Sequence, residues 1–129
     1  MVQQNNVIVF DIDGTICGSP KAGETYLDVE PFPDMIQKLK EYKDNGYYII
    51  LSTARNMRTY EGNLGRINAN TGKTLFKWLE KHDIPFDEIF FGKPWCGHNG
   101  FYVDDKSIRP DEFLKYSHEE INELLKAKI

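Results

Sequence analysis

Residues 7–15 read V-I-V-F-D-I-D-G-T. Four apolar residues run into Asp11, Ile12, Asp13, Gly14 and Thr15. A short apolar run that stops at a turn signal predicts a strand buried on both faces, as in parallel sheets covered by helices. In open α/β sheets, chemistry collects outside the carboxyl ends of the strands. This strand delivers two carboxylates to that edge. Asp and Gly are also ordinary turn residues, so D-x-D-G alone decides little. The weight comes from three further strand ends that each carry polar groups.

The chain has 129 residues, the size of one domain, and residues 1–129 are read as a single α/β unit with a mainly parallel, doubly wound sheet. A formal net charge of -4 argues against nucleic acid as a partner, because phosphate-backbone affinity rests on a basic surface. Its apolar runs are far shorter than the ~20 residues a membrane span needs, so no membrane association is expected. The N-terminal M-V-Q-Q-N-N lacks a basic segment followed by an apolar stretch, so no signal peptide is expected. Cys17 and Cys96 then read as reduced thiols in the cytoplasm.

Residues 16–32, broken by Gly18, Gly23 and prolines on either side of Phe32, predict a loop or small hairpin lying as a flap beside Asp11 and Asp13. Pro33 or Asp34 opens a helix with Met35, Ile36, Leu39 and Tyr42 on one face, stopped at Gly46. Tyr47–Leu51 is a second buried strand, ending in Ser52-Thr53-Ala54-Arg55. Hydroxyls at a strand end, with the following backbone N–H groups, suit an anion. Asn56–Asn70 reads as a long, polar, glycine-broken loop, and such loops are more often functional or disordered than neutral. Arg55, Arg58 and Arg66 make it locally basic, and an arginine fork suits phosphate or carboxylate. A helix follows from about Thr71 to His82, with Leu75, Phe76 and Leu79 inward; His82 reads as a surface cation at its C-terminal end. Glu88–Phe91 is a third strand, with Lys93 just past its end. Cys96 and His98 lack a second ligand pair, so they do not make a zinc site. Gly100–Val103 is a fourth strand ending in Asp104-Asp105. Ile108–Tyr116 reads as a turn with a short helical piece. Ser117 and Glu120 have capping-box spacing and open a last helix with Ile121, Leu124 and Leu125 inward.

All these carboxyl ends share one edge of a parallel sheet. Asp11, Asp13, Thr53, Lys93, Asp104 and Asp105 are therefore expected to converge. Asp11 and Asp104 would repel each other in a partly desolvated site. A hard divalent cation removes the conflict, and oxygen-only donors point to Mg²⁺, which takes one or two carboxylates, waters and a substrate phosphate. Thr53 and Lys93 would hold the remaining phosphate oxygens. The chemistry expected is phosphoryl transfer.

The order of these motifs resembles the haloacid dehalogenase (HAD) superfamily of phosphatases over nearly the whole chain. D-I-D-G-T is similar to its first motif, with Gly14 and Thr15 in support, Thr53 to its second, Lys93 to its third and Asp104-Asp105 to its fourth. The resemblance implies Asp11 as nucleophile, forming an aspartyl-phosphate. It implies Asp13 as the acid that protonates the leaving alkoxide and the base that then activates water. The Asp11 carboxylate, the Asp13 carbonyl and Asp104 would ligate Mg²⁺. Asp105 would hold a metal-bound water or orient Lys93. Ser52 is the alternative hydroxyl at the second motif; Thr53, which stands directly before Ala54-Arg55, is favoured.

Three stretches outside the general motifs, T-A-R-N-M-R-T-Y-E-G-N, G-K-P-W-C-G and G-F-Y-V-D-D-K-S-I-R-P, resemble the small bacterial capsule biosynthesis phosphatases. They imply a cytoplasmic enzyme acting on a small phosphorylated intermediate of surface-polysaccharide synthesis, a sugar phosphate or amino-alcohol phosphate. Neither interrupting segment is long enough to bury a core of its own, so this resembles a capless member. Its site is open unless a neighbouring subunit of a homo-oligomer or the 56–70 loop closes it. Arg55, Arg58 and Tyr60 are expected to contact the leaving group. Nucleotide or phosphoprotein phosphatases and phosphotransferases are the alternatives within this chemistry. A phospho-receiver domain, the non-catalytic alternative, places its acidic pair first and its acceptor Asp mid-chain; here the single D-x-D comes first and the pair last.

Overall fold

The computed structural model describes residues 5–94, 96–99, 102–104 and 106–126. The chain divides into two compact units, Met1–Trp95 and Cys96–Ile129. The first holds strands β1 (Val7–Asp11), β2 (Tyr48–Thr53) and β3 (Glu88–Phe91), and helices α1 (Pro33–Asp44) and α2 (Leu64–Lys81). The order is β1-β2-β3 and every pairing is parallel. This is the expected open α/β sheet flanked by helices. All three strands end on one edge, with Asp11 in register with Ser52 and Thr53 with Phe91.

Burial alternates along β2, where Ile49, Leu51 and Thr53 are fully covered and the residues between them are half-buried. Along β1, Val7 and Val9 are exposed and Phe10 is buried. The first strand is therefore covered on one face, not on both as expected. Its aliphatic run reflects β-propensity on the outer face as well as core packing.

Helix α1 forms as expected. Pro33 sits at its first position, where a missing N–H costs nothing, and Met35, Ile36, Leu39 and Tyr42 are its buried residues. The Lys43 ammonium at its end grips both oxygens of Asp87 at 2.6 and 2.7 Å, and Asp87 also accepts the Ile49 N–H at 2.8 Å. One carboxylate thus fastens α1 to β2 beside the start of β3.

Helix α2 departs from expectation. It begins at Leu64, so the predicted 56–70 loop is a shorter set of turns. Asn63 caps it, its side chain accepting the Arg66 N–H at 3.1 Å, which offsets one of the four orphan donors of the first turn. Ile67, Thr71, Leu75, Trp78 and Leu79 are buried at three- and four-residue spacing. The asparagines and glycine read as loop signals occupy its polar face and first turn. Phe76, expected inward, is exposed and meets Phe86 and Phe91 at the edge of the sheet. Trp78 is fully buried instead, and its Nε1 donates to the Val29 carbonyl at 2.7 Å. Burying such a side chain contributes about 1.5–3 kcal/mol. His82 is half-buried against the Trp78 ring, so it is not the exposed surface side chain expected there.

The second unit contains α3 (Pro110–Lys115) and α4 (His118–Leu125). The predicted capping box is present. Ser117 Oγ accepts the Glu120 N–H at 3.2 Å, and Glu120 Oε1 accepts the Ser117 N–H at 2.9 Å. Ile121 is buried, but Leu124 is exposed. The predicted fourth strand is not formed among the described residues: Tyr102 and Val103 are exposed and belong to no strand. Gly100 and Phe101 lie outside the described residues, as does Asp105. No helix among the described residues is long and apolar enough to cross a membrane.

Candidate active site

The site is built on the turn that follows β1. The Ile12 carbonyl accepts the N–H groups of Thr15, Ile16 and Cys17, and the Gly14 N–H donates to the Cys17 carbonyl at 2.7 Å. Gly14 has φ +84°, a conformation that costs a residue with a Cβ about 1–2 kcal/mol. This tight loop holds Asp13 two residues beyond Asp11. The base of the following flap is pinned by bridges from Cys17 to Asp13 and to Pro31.

Two ion pairs organise the edge. Lys93 Nζ lies 3.4 Å from Asp11 Oδ1. Arg55 holds Asp13 with both edges of its fork, Nη2 to Oδ1 at 2.8 Å and Nε to Oδ2 at 3.3 Å. The Arg55 side chain is only 2% exposed, and its guanidinium carbon lies 3.9 Å from the centre of the Tyr26 ring. The flap therefore reaches the site through Tyr26, from a single 3-10 turn at Tyr26–Asp28.

Partial burial raises the Asp11 carboxyl above its ordinary range, Lys93 works against that, and the Asp13 charge adds to it. Burial likewise pushes the Cys17 thiol up to about 11, helped by Asp13, and raises the Tyr26 phenol. Cys17 is a neutral core side chain.

The two candidate hydroxyls differ in setting. Thr53 is fully buried, and its Oγ1 accepts the Arg55 N–H at 3.0 Å. Its carbonyl accepts the N–H groups of both Gly92 and Lys93, at 3.1 and 3.0 Å. Thr53 thus fixes the start of the Arg55 turn and the exit of β3. Ser52 is half-buried and in register with Asp11.

The structure therefore brings Asp11 to Lys93 and Asp13 to Arg55, with Thr53 joining the two ends through backbone bonds. Arg58 is exposed, whereas Tyr60 is half-buried beneath the Arg66 guanidinium. Asp104 lies in the second unit; its Oδ1 accepts the Lys106 N–H at 3.0 Å. Sequence reading missed Tyr26 and the inward turn of Arg55. The only available signal was an aromatic in the flap and an arginine two residues past a strand-end hydroxyl.

Among the described residues no three His, Cys, Asp or Glu side chains cluster as a metal cage. The Asp11 carboxylate and the Asp13 carbonyl are oxygen donors of the kind Mg²⁺ accepts alongside waters and phosphate. Asp13 spends its carboxylate on Arg55, so its carbonyl is the donor that fits.

The family model for haloacid dehalogenase-like hydrolases matches residues 8–127, and the chain belongs to that family. It is similar to a structural-genomics target protein from Vibrio cholerae at 48% identity, covering 94% of this chain and 97% of that one, with a TM-score of 0.86. A D,D-heptose 1,7-bisphosphate phosphatase from B. bronchiseptica, solved with magnesium and phosphate, is similar at 18% identity. That match covers 67% of this chain and 49% of that one, with a TM-score of 0.45. No curated protein matches the chain.

Proposed function

We propose that this hydrolase is a Mg²⁺-dependent phosphomonoester phosphatase working through an aspartyl-phosphate on Asp11. The observation that carries the reading is the paired arrangement of Asp11 with Lys93 and Asp13 with Arg55 at adjacent strand ends.

The Asp11 carboxylate attacks phosphorus, and the bond from phosphorus to the leaving oxygen breaks. Asp13 gives its proton to that oxygen. Water then attacks the phosphorus of the acyl phosphate, Asp13 takes the water's proton, and Asp11 and inorganic phosphate separate. Lys93 offsets charge on the nucleophile and the phosphate, and Thr53 or Ser52 supplies the hydroxyl beside it. Arg55 fixes which way the Asp13 carboxyl faces. Asp11, the Asp13 carbonyl and Asp104 would hold Mg²⁺, which when bound supplies positive charge against the repulsion between Asp11 and phosphate. Asp104 and Asp105 carry their roles from motif order, and the whole of residues 1–129 is read as one catalytic domain.

The substrate class that fits is a small phosphorylated metabolite. Sugar phosphates or amino-alcohol phosphates of capsule or surface-polysaccharide synthesis, handled in the cytoplasm, follow from the three resembling stretches. The uncapped site would be closed by the 56–63 turns or by a second subunit. The test is phosphate release from p-nitrophenyl phosphate and a phosphomonoester panel, with and without Mg²⁺, in the native protein and in Asp11→Asn. Mg²⁺-dependent turnover lost in the variant is expected; undiminished turnover in Asp11→Asn would overturn the mechanism.

A further inference from the structure

Tyr26, Arg55 and Asp13 come from separate parts of the chain and form one stack. Arg55 meets Asp13 edge-on, with Nε and Nη2 donating to the two carboxylate oxygens at 3.3 and 2.8 Å. The Tyr26 ring lies on the face of the guanidinium, its centre 3.9 Å from the central carbon. The two contacts constrain different motions. A pair of in-plane hydrogen bonds sets the carboxylate against the fork, but the plane can still rock about the line joining them. A ring on its face stops that rocking. Nη1, buried and without a hydrogen-bond partner, gives the plane no third anchor. The ring face also supplies the electrostatic attraction that a side chain only 2% exposed cannot draw from water.

Tyr26 is itself held from behind. It opens the 3-10 turn Tyr26–Asp28. The Asp28 carboxylate accepts both the N–H and the hydroxyl of Thr25, at 2.9 and 3.1 Å, and so closes the turn on itself. Two bonds then fasten this strap to α2. Lys81 Nζ donates to the Leu27 carbonyl at 3.3 Å, and the fully buried Trp78 donates to the Val29 carbonyl at 2.7 Å. The ring that covers Arg55 is therefore carried by a core helix, although it belongs to a flap broken by Gly18 and Gly23.

We propose that Tyr26 is a positioning residue for the phosphatase reaction. Its ring holds the Arg55 plane, and through it keeps the Asp13 carboxyl aimed at the leaving oxygen. The inference rests on the phosphatase reading above and adds to it a residue that acts only through Arg55. When the bond from phosphorus to the leaving oxygen breaks, the Asp13 proton goes to that oxygen. The contribution of Tyr26 therefore scales with how much the leaving oxygen needs a proton. p-Nitrophenolate is a stable anion and departs without one; hydroxide does not.

The test uses the full chain with Mg²⁺ and two reactions that share attack by Asp11. The kcat/KM for p-nitrophenyl phosphate reads transfer to Asp11 with a leaving group that needs no proton. Loss of label from inorganic phosphate carrying heavy oxygen reads the same transfer with water leaving, which needs the Asp13 proton. In Tyr26→Leu the exchange rate is expected to fall at least roughly tenfold, within what a general acid contributes. The p-nitrophenyl phosphate kcat/KM should stay within about threefold. Tyr26→Phe keeps the ring and should hold both reactions within about threefold of the native chain. Asp28→Ala, at an exposed position, loosens the strap without touching the core and should give a smaller split in the same direction. Equal losses in both reactions for Tyr26→Leu and Asp28→Ala, undiminished exchange in Tyr26→Leu, or a Tyr26→Phe as impaired as Tyr26→Leu would each overturn the positioning role while leaving the phosphatase intact. A native chain that performs neither reaction would overturn the phosphatase reading, and the positioning role with it.

Discussion

Arg55 decides how the Asp13 carboxyl is presented, because two N–H groups in one plane fix both oxygens where a single ammonium would fix one. Arg55→Lys is expected to lower kcat on p-nitrophenyl phosphate by about 10- to 100-fold, the scale of an ångström misplacement near reacting atoms. KM should move less than about threefold, since Arg55 acts on the reaction through Asp13. Steady-state kinetics separates the two, and a KM change with kcat preserved would count against the positioning role. A second residue-level expectation concerns Asp87. Burial works to raise its carboxyl, and the Ile49 N–H and the Lys43 ammonium outweigh it, leaving its pKa lowered. A lowered folded-state value means stability that is full above the unfolded carboxylate pKa of about 3.9 and lost as pH falls through the folded value. Asp87→Asn should therefore show a shallower loss of Tm on acidification below about pH 4 than the native chain. Parallel curves would remove Asp87 from that role. At the sulfur atoms, a neutral and fully buried Cys17 should escape iodoacetamide at pH 8 in the native protein while half-exposed Cys96 reacts, as peptide mass spectrometry would show.

At the scale of elements, the junction between β3 and α2 is the most constrained. Gly92 has φ +96°, and a Cβ there would collide with the Leu64 side chain at the start of α2. Gly92→Ala is expected to cost about 1–3 kcal/mol, from left-handed strain and the displaced leucine. Asn63→Ala, removing the cap, should cost about 1 kcal/mol. Both are read as falls in the urea midpoint, and Gly92→Ala should also lower activity because Lys93 follows it. Legibility in the sequence divides along the same lines. Helix α1 was readable because Pro33 marks its start and four apolar residues keep its period. The three strands were readable as apolar runs with polar exits, and the acidic turn after β1 was readable from D-I-D-G-T. The first half of α2 was not, because Gly65, Asn68 and Asn70 are loop-like by composition and their helical state is set by Asn63, Ile67 and packing against β3. Arg55 was placed in the site but not oriented. Its partner is 42 residues away in sequence, and no local pattern encodes a long-range ion pair.

At the scale of the molecule, two compact units need not mean two folding units. The segment Cys96–Ile129 is below the ~40 residues that a chain without disulfides or metals needs to bury a core of its own. One cooperative transition is therefore expected, with coincident urea curves by far-UV circular dichroism and fluorescence; two separated transitions would refute single-domain behaviour. The hydrogen bond from the Trp78 indole to the Val29 carbonyl has an optical meaning here. It ties a dry chromophore on α2 to the strap that carries Tyr26, so any rearrangement lifting Tyr26 away from Arg55 and Val29 away from Trp78 admits water to the indole and shifts its emission to the red. The enzyme thereby contains a label for its own strap, readable in stopped flow with no dye attached and on the time scale of turnover.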